Sequence, residues 1–249
     1  MPPGRFHHQG APFTMRTHVI ARKTHKWLGL FIALQVVIWS LSGLYMTAVH
    51  IDIIHGDHLV RALPVRTADV SQLRDPISVA AANQADGARL AWVRNQPAYV
   101  LATEAGEKIV DARSGAAVPP PSEAEIRSIA TSIYTGSEPI ASAALIKEIP
   151  GEIRGRKPPL WRVEFDQWNK PTLYLSPTTG ELVTRRHELW RVFDFVWMLH
   201  IMDYATRDNV NNPLLRVFTV GAVLMVLSGA WLLLYAFPSK KKKRKAARA

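Results

Sequence analysis

The sequence contains no cysteine. That excludes disulfides, thiolate zinc sites, iron–sulfur clusters and the C-x-x-C-H attachment of c-type haem. A flavin or a non-covalent b-type haem remains compatible. Acidic residues are missing from both ends. Residues 1–26 hold Arg5, Arg16, Arg22, Lys23 and Lys26 with no acid, and residues 240–249 hold seven Lys and Arg, again with no acid. The net charge of +11 therefore sits at the termini, and the middle of the chain is nearly neutral. A nucleic-acid reader carries its basic residues on a folded domain, so no nucleic-acid partner is expected. Also missing are a Ser/His/Asp set, a Gly-rich phosphate loop and a distinct pair of carboxylates, so no catalytic residues are expected.

What the chain does have is two long apolar runs. Residues 28–49, "LGLFIALQVVIWSLSGLYMTAV", carry no charge, and 22 residues at 1.5 Å each cross a hydrocarbon core of roughly 30 Å. Residues 217–237, "VFTVGAVLMVLSGAWLLLYAF", form a second such run, with Pro213 suited to the start of its helix. Basic clusters flank the outer end of each, so the positive-inside rule puts both termini in the cytoplasm and the intervening residues on the other side, the periplasm of a bacterial inner membrane. The tail "SKKKKRKAARA" reads as a topology determinant, with anionic lipid headgroups as a further partner. Each run contains Leu-Ser-Gly, at 41–43 and 227–229. Small residues admit close helix packing, a partner helix or the edge of a flat cofactor.

Between the runs the pattern changes to that of a soluble α+β domain. "PISVAAANQA" (76–85) reads as a short helix, followed by antiparallel strands over 90–118 with turns at 95–97 and 104–106. Ser122 and Glu125 form a capping box for a second helix. The strand pattern then returns over 159–186, with Val163, Phe165, Leu173 and Leu175 facing inward around a turn at 167–170. "VDARSGAAV" and "LSPTTGELV" match, so the domain reads as two helix-plus-meander units. "EIRGRKPP" is a local basic loop, either solvated or an anion site. The expected organisation is 1–26 cytoplasmic, 27–50 first span, 51–186 periplasmic, 187–212 an aromatic interfacial helix and loop, 213–237 second span and 238–249 cytoplasmic.

"THKWLGLFIALQVVIWSLSGLYM", "HGDHL", "WMLHIMDY" and "LSGAWLLL", with the two matching meanders, resemble the PepSY-associated transmembrane proteins over roughly residues 22–237. Longer relatives usually have four spans, and this chain has two. The resemblance implies two transmembrane helices flanking a tandem PepSY-like domain. It also implies a part in electron transfer, with b-type haem held by histidines and supporting reduction of iron–siderophore or another periplasmic acceptor. Other PepSY domains are linked to inhibition or chaperoning of peptidases. That leaves a second expectation, a non-catalytic module binding a peptide, a peptidase or a transporter.

The histidines sort by position. His7, His8 and His18 lie in a polar N-terminal stretch. His25 is expected at the cytoplasmic lip of the first span, and His50 at its other lip, about 37 Å away along a straight helix, so the two cannot share a ligand. His200 lies in an aromatic helix with Trp190, Phe193, Trp197 and Tyr204 and is expected at the level of His50, His55 and His58. It reads as an axial ligand, with Asp203 nearby as its orienting carboxylate and His50 or His58 as its partner. The alternative for His55 and His58 is a zinc or iron site assisted by Asp52 or Asp57, although "IIHG" reads as a helix ending at Gly56. Electron flow across the membrane would require a homodimer or a partner reductase.

Overall fold

The computed structural model describes residues 13–62 and 66–236, with the side chains of residues 13–18 and of Tyr235 outside the description. The basic residues Arg5 and Arg16, the histidines His7, His8 and His18, and the 240–249 tail therefore lie outside it in whole or in side chain. The described chain divides into a helical unit, built from residues up to 48 and from 195 onward, and a soluble unit of residues 49–194.

The helical unit is an antiparallel pair. Helix α1 (Phe13–Ala48) starts well before the expected span at residue 27, because the basic residues 16–26 continue the helix. Its apolar stretch, Val19–Ala48, and that of the later helix α6, Pro213–Leu234, are both long and apolar enough to cross a membrane. Phe31 stacks on Phe218 with centroids 5.2 Å apart. Glycines face large side chains across the seam: a methyl group on Gly29 would touch Met225, and one on Gly221 would touch Ile32. Such small-residue positions let two helices approach closely. Outward-facing Leu34, Leu41, Leu44, Val226 and Leu234 remain exposed, as expected of helices with an apolar surrounding. Helix α6 (Pro213–Ala236) starts with proline in its first turn, and the Asn212 side chain accepts from the Leu215 N–H at 2.8 Å.

The soluble unit begins with α2 (Ile51–His55), which ends at Gly56 in the left-handed conformation with φ 73°. Helix α3 (Pro76–Ala82) then precedes the sheet of β1 (Gly87–Val93), β2 (Gln96–Thr103) and β3 (Gly106–Asp111), antiparallel in sequence order. Val79 of α3 packs on Tyr99, Leu101, Val110 and Ala112, and Ala91, Val93, Ala98, Val100 and Ile109 form a cluster on the other face. Helix α4 (Glu123–Ile133) carries the expected capping box at Ser122 and Glu125. It lays Ile126, Ala130 and Ile133 over Val163, Phe165, Leu173 and Leu175 of a second antiparallel sheet. That sheet is β4 (Ile140–Ile146), β5 (Leu160–Phe165), β6 (Thr172–Leu175) and β7 (Leu182–Arg186). Helix α5 (Glu188–Ile201) closes the unit, with its residues from Phe195 onward belonging to the helical unit.

The internal repetition extends to individual hydrogen bonds. The Asp111 side chain accepts from the N–H groups of Arg113 and Ser114, and the Ser176 hydroxyl accepts from those of Thr178 and Thr179. Gly115 and Gly180 follow at φ 78° and 73° and donate back to the Asp111 and Ser176 carbonyls at 2.8 and 2.9 Å. The same turn is thus built twice, 65 residues apart. A short polar side chain opens each, and a glycine supplies the positive φ.

Candidate functional site

Polar residues in an apolar helix need partners, because an unpaired donor or acceptor away from water costs several kcal/mol, roughly 2–7. In α1, Gln35, Trp39 and Ser42 recur at spacings of four and three and so share one face. Gln35 and Ser42 are buried. Gln35 Nε2 donates to the Leu199 carbonyl at 3.2 Å, and Trp39 Nε1 donates to the His200 carbonyl at 2.7 Å. Asn212 Nδ2 donates to the Ile201 carbonyl at 2.8 Å. These are the last carbonyls of α5, which have no partner within their own helix. The helix stops there because Met202 takes a left-handed φ of 55°.

That stop corrects two expectations. Tyr204 lies beyond the helix and is exposed, rather than on its aromatic face. Asp203 is not the orienting group of His200. Its carboxylate accepts from the N–H groups of Ala205, Thr206, Asp208 and Asn209 and from the Thr206 hydroxyl, tying the 203–209 loop. Those bonds, the Thr206 hydroxyl first, hold Asp203 well below the usual carboxylate range.

The partner of His200 is instead Ser42, whose hydroxyl lies 2.7 Å from His200 Nδ1. The Ser42 hydroxyl also reaches the Ile38 and Trp39 carbonyls of its own helix, at 2.6 and 3.1 Å. The contact holds the ring by Nδ1, and in the tautomer that donates from Nδ1 the Nε2 atom carries the lone pair. Among the described residues Nε2 has no hydrogen-bond partner, and the ring lies nearly parallel to Trp197, centroids 6.4 Å apart. Gly43, next to Ser42, faces open space.

The second Leu-Ser-Gly does the same at the other end of the pair. His25 Nδ1 lies 3.0 Å from the Ser228 hydroxyl and 3.1 Å from the Met225 carbonyl. A carbonyl can only accept, so Nδ1 carries the proton and Nε2 the lone pair. Ser228 sends its own proton to Met225 at 2.8 Å. The His25 ring sits on Gly229, where a methyl group would come within 3.0 Å of Cε1. One glycine is thus covered by an imidazole and the other is open. His25 faces the later helix from a basic turn of α1, between Lys23 and Lys26. Seventeen residues, about 25 Å along α1, separate it from Ser42, so His25 and His200 do not converge on one centre.

The remaining candidates belong to the soluble unit. His50 caps the N-terminus of α2, its ring accepting from the Asp52 N–H at 3.3 Å, and is exposed. His55 ends α2 and is exposed, and its carbonyl accepts from Arg185 Nε. His58, also exposed, follows in a short 3-10 turn, and its carbonyl accepts from the Thr135 hydroxyl. Gly56 separates the two onto different elements. Among the described residues there is no group of three or more His, Asp or Glu placed to hold a metal ion.

The segment 50–60 is a strap across the soluble unit. Leu59 is in the main core, Val60 bridges to Tyr134, and Arg185 pairs with Asp57. Its anchor is His187, fully buried at the start of α5. His187 Nε2 donates to the Ile54 carbonyl at 3.0 Å, and Asn169 Nδ2 lies 3.4 Å from Nδ1. The ring meets His58 edge-on, with centroids 5.9 Å apart. Both nitrogens of His187 are thus used, which makes it a packing residue. Burial, the largest influence, holds its imidazole below its ordinary value.

A charged layer completes the unit. Glu152 pairs with Arg191 at 2.6 Å and accepts from the buried Tyr174 hydroxyl at 2.5 Å. Burial pushes this carboxyl up, but the hydrogen bonds from Arg191 and Tyr174 outweigh it and hold Glu152 below its usual range. Arg154, from the basic loop, folds back onto the buried carboxylate of Asp194. Comparison with family models, curated proteins and solved structures found no match to this chain.

Proposed function

We propose that the chain is a two-span bacterial inner-membrane protein of the PepSY-associated kind that takes part in electron transfer through b-type haem, with both termini cytoplasmic and the soluble unit periplasmic. The reading is carried by one observation: each Leu-Ser-Gly serine holds a histidine by Nδ1, an arrangement open to the tautomer with its lone pair on Nε2. A metal-bound imidazole needs that tautomer, with its other nitrogen donating to a fixed acceptor. The donor set fits axial ligation at two separate places. His25 and His200 would each hold a haem, and the second ligand at each would come from a second copy of the chain or from a partner membrane reductase. His55 and His58 remain the pair for the alternative metal reading.

When bound, haem supplies a one-electron iron couple. The protein's own contribution is to set ring orientation through Ser42 and Ser228 and to exclude water with the surrounding apolar side chains. The acceptor in this reading is ferric iron, as a siderophore complex or another periplasmic species. The test is a reduced-minus-oxidised spectrum of the full chain, purified in detergent after growth with a haem supply. A Soret band is expected, reduced by about half in each of His25→Ala and His200→Ala. A protein without a Soret band overturns the proposal.

A second reading, a non-catalytic interaction module, is favoured by the sheet edges. β1 and β4 are edge strands, and each exposes a leucine, Leu90 and Leu145. An exposed edge of that kind accepts an added strand. In that case replacing His25, His58 and His200 together leaves the physiological activity intact.

A further inference from the structure

Beside the strap, the soluble unit holds a cleft of about 420 Å³ whose charge is unbalanced. Arg156, Arg185 and Arg186 line it with His55, and Asp57 is its one carboxylate. Asp57 is taken up by Arg185. Arg186 spends its donors on neutral oxygens: Nε on the Glu152 carbonyl at 2.7 Å, and Nη1 on the Arg185 carbonyl and the Thr184 hydroxyl. Its guanidinium lies 4.0 Å from the centroid of Trp190, which floors the cleft. Among the described residues it forms no ion pair. Arg156 is exposed, and its side chain has neither a hydrogen bond nor an ion pair among the described residues.

Arg156 and Arg186 face one concave space and repel each other, Glu152 and Asp194 offset only part of the charge on Arg186, and an anion that enters stabilises both. Desolvation makes the half-buried Arg186 the costlier of the two to leave unpaired. The planar fork of arginine suits the oxygens of phosphate. The cleft's volume falls within the roughly 300–1,000 Å³ typical of small-molecule sites. We propose that this cleft binds a phosphate group, with Arg156 and Arg186 as its two charge partners and His55 at its rim. This goes beyond the electron-transfer reading and does not depend on it. The phosphate belongs either to a free phosphate compound or to an anionic lipid headgroup.

The experiment is calorimetric titration of inorganic phosphate into the full chain in dodecyl maltoside, in a phosphate-free buffer. Saturable binding is expected. Arg156→Gln should weaken it about tenfold, the size of one lost charge-assisted contact, and Arg156→Lys should restore part of it. Arg156 holds no other side chain, so its variants keep the fold, and circular dichroism checks this. Arg186→Gln also removes three internal hydrogen bonds and serves as the second variant where its spectrum is native. A competition arm with dihexanoyl-phosphatidylglycerol separates the sources. Displacement at lower concentration than phosphate itself identifies a lipid headgroup, and displacement only at higher concentration identifies a soluble phosphate compound. No saturable binding, or equal affinity in wild type and Arg156→Gln, overturns the proposal.

Discussion

Replacing His187 by phenylalanine tests whether the strap is anchored as described. The ring volume is nearly kept, but the Ile54 carbonyl loses its donor and the Asn169 amide loses its acceptor. A buried polar group left unpaired costs about 1–3 kcal/mol. The longer Asn169 contact contributes the smaller share, so a loss of about 2–3 kcal/mol is expected at pH 7.5. The pH dependence is the sharper signature. The folded-state value of His187 lies below its ordinary one, so the unfolded chain takes up the proton more readily. Stability from this group is therefore full above about pH 6.5 and falls as pH drops below it, by at most about 1.4 kcal/mol per pH unit. The phenylalanine variant lacks that slope. Urea unfolding of the full chain in detergent, followed by tryptophan fluorescence between pH 5.5 and 8, should show the two curves converging by up to about 1.4 kcal/mol at pH 5.5. Parallel curves, or a wild type that gains stability below pH 6.5, would refute the argument.

Two further substitutions read other parts of the fold. Gly115→Ala and Gly180→Ala place the same methyl group in the two copies of one turn, both at positive φ. The first meets only the Arg74 side chain, at 3.3 Å, and should cost about 1 kcal/mol for the backbone. The second comes within 2.7 Å of Ile129 Cδ1 in the core and should cost about 1–3 kcal/mol more, measured by the same unfolding. Trp39→Phe removes the donor to the His200 carbonyl. It should lower the thermal midpoint of the full chain in detergent, whereas Trp27→Phe, at an exposed position, should leave it unchanged.

Much of this architecture was legible in the sequence because its signals are local. The apolar runs, the Ser122/Glu125 box, the Gly56 stop, Pro213 and the alternation at Val163, Phe165, Leu173 and Leu175 each depend on neighbours a few residues away. Strand β4 escaped because "IASAALI" is rich in Ala and Ser, weak strand formers, and an edge strand shows little alternation. The extended start of α1 escaped because basic residues mark where an apolar run ends but not where its helix begins. The histidine environments depend on contacts that join positions 158 and 203 residues apart. Spacing along α5 placed His200 on an apolar face but did not reveal Ser42 as its partner. The two serines were visible as small residues, and the polar stripe of Gln35, Trp39 and Ser42 was the available clue to a polar partner. Nothing local to His187 marks it, and only the crossing of the strap shows both its nitrogens used.

The stripe also imposes an order on biogenesis. Gln35, Trp39 and Ser42 find their partners at residues 199 and 200, which leave the ribosome some 160 residues after them. At ordinary synthesis rates that interval is on the order of ten seconds. Throughout it the first helix carries a glutamine, an indole N–H and a hydroxyl with no tertiary counterpart, while the whole of residues 49–194 is made. In the proposed membrane setting a chaperone or insertase that shields one polar face of a nascent helix would be needed for that period. A Gln35→Leu chain would depend on it less.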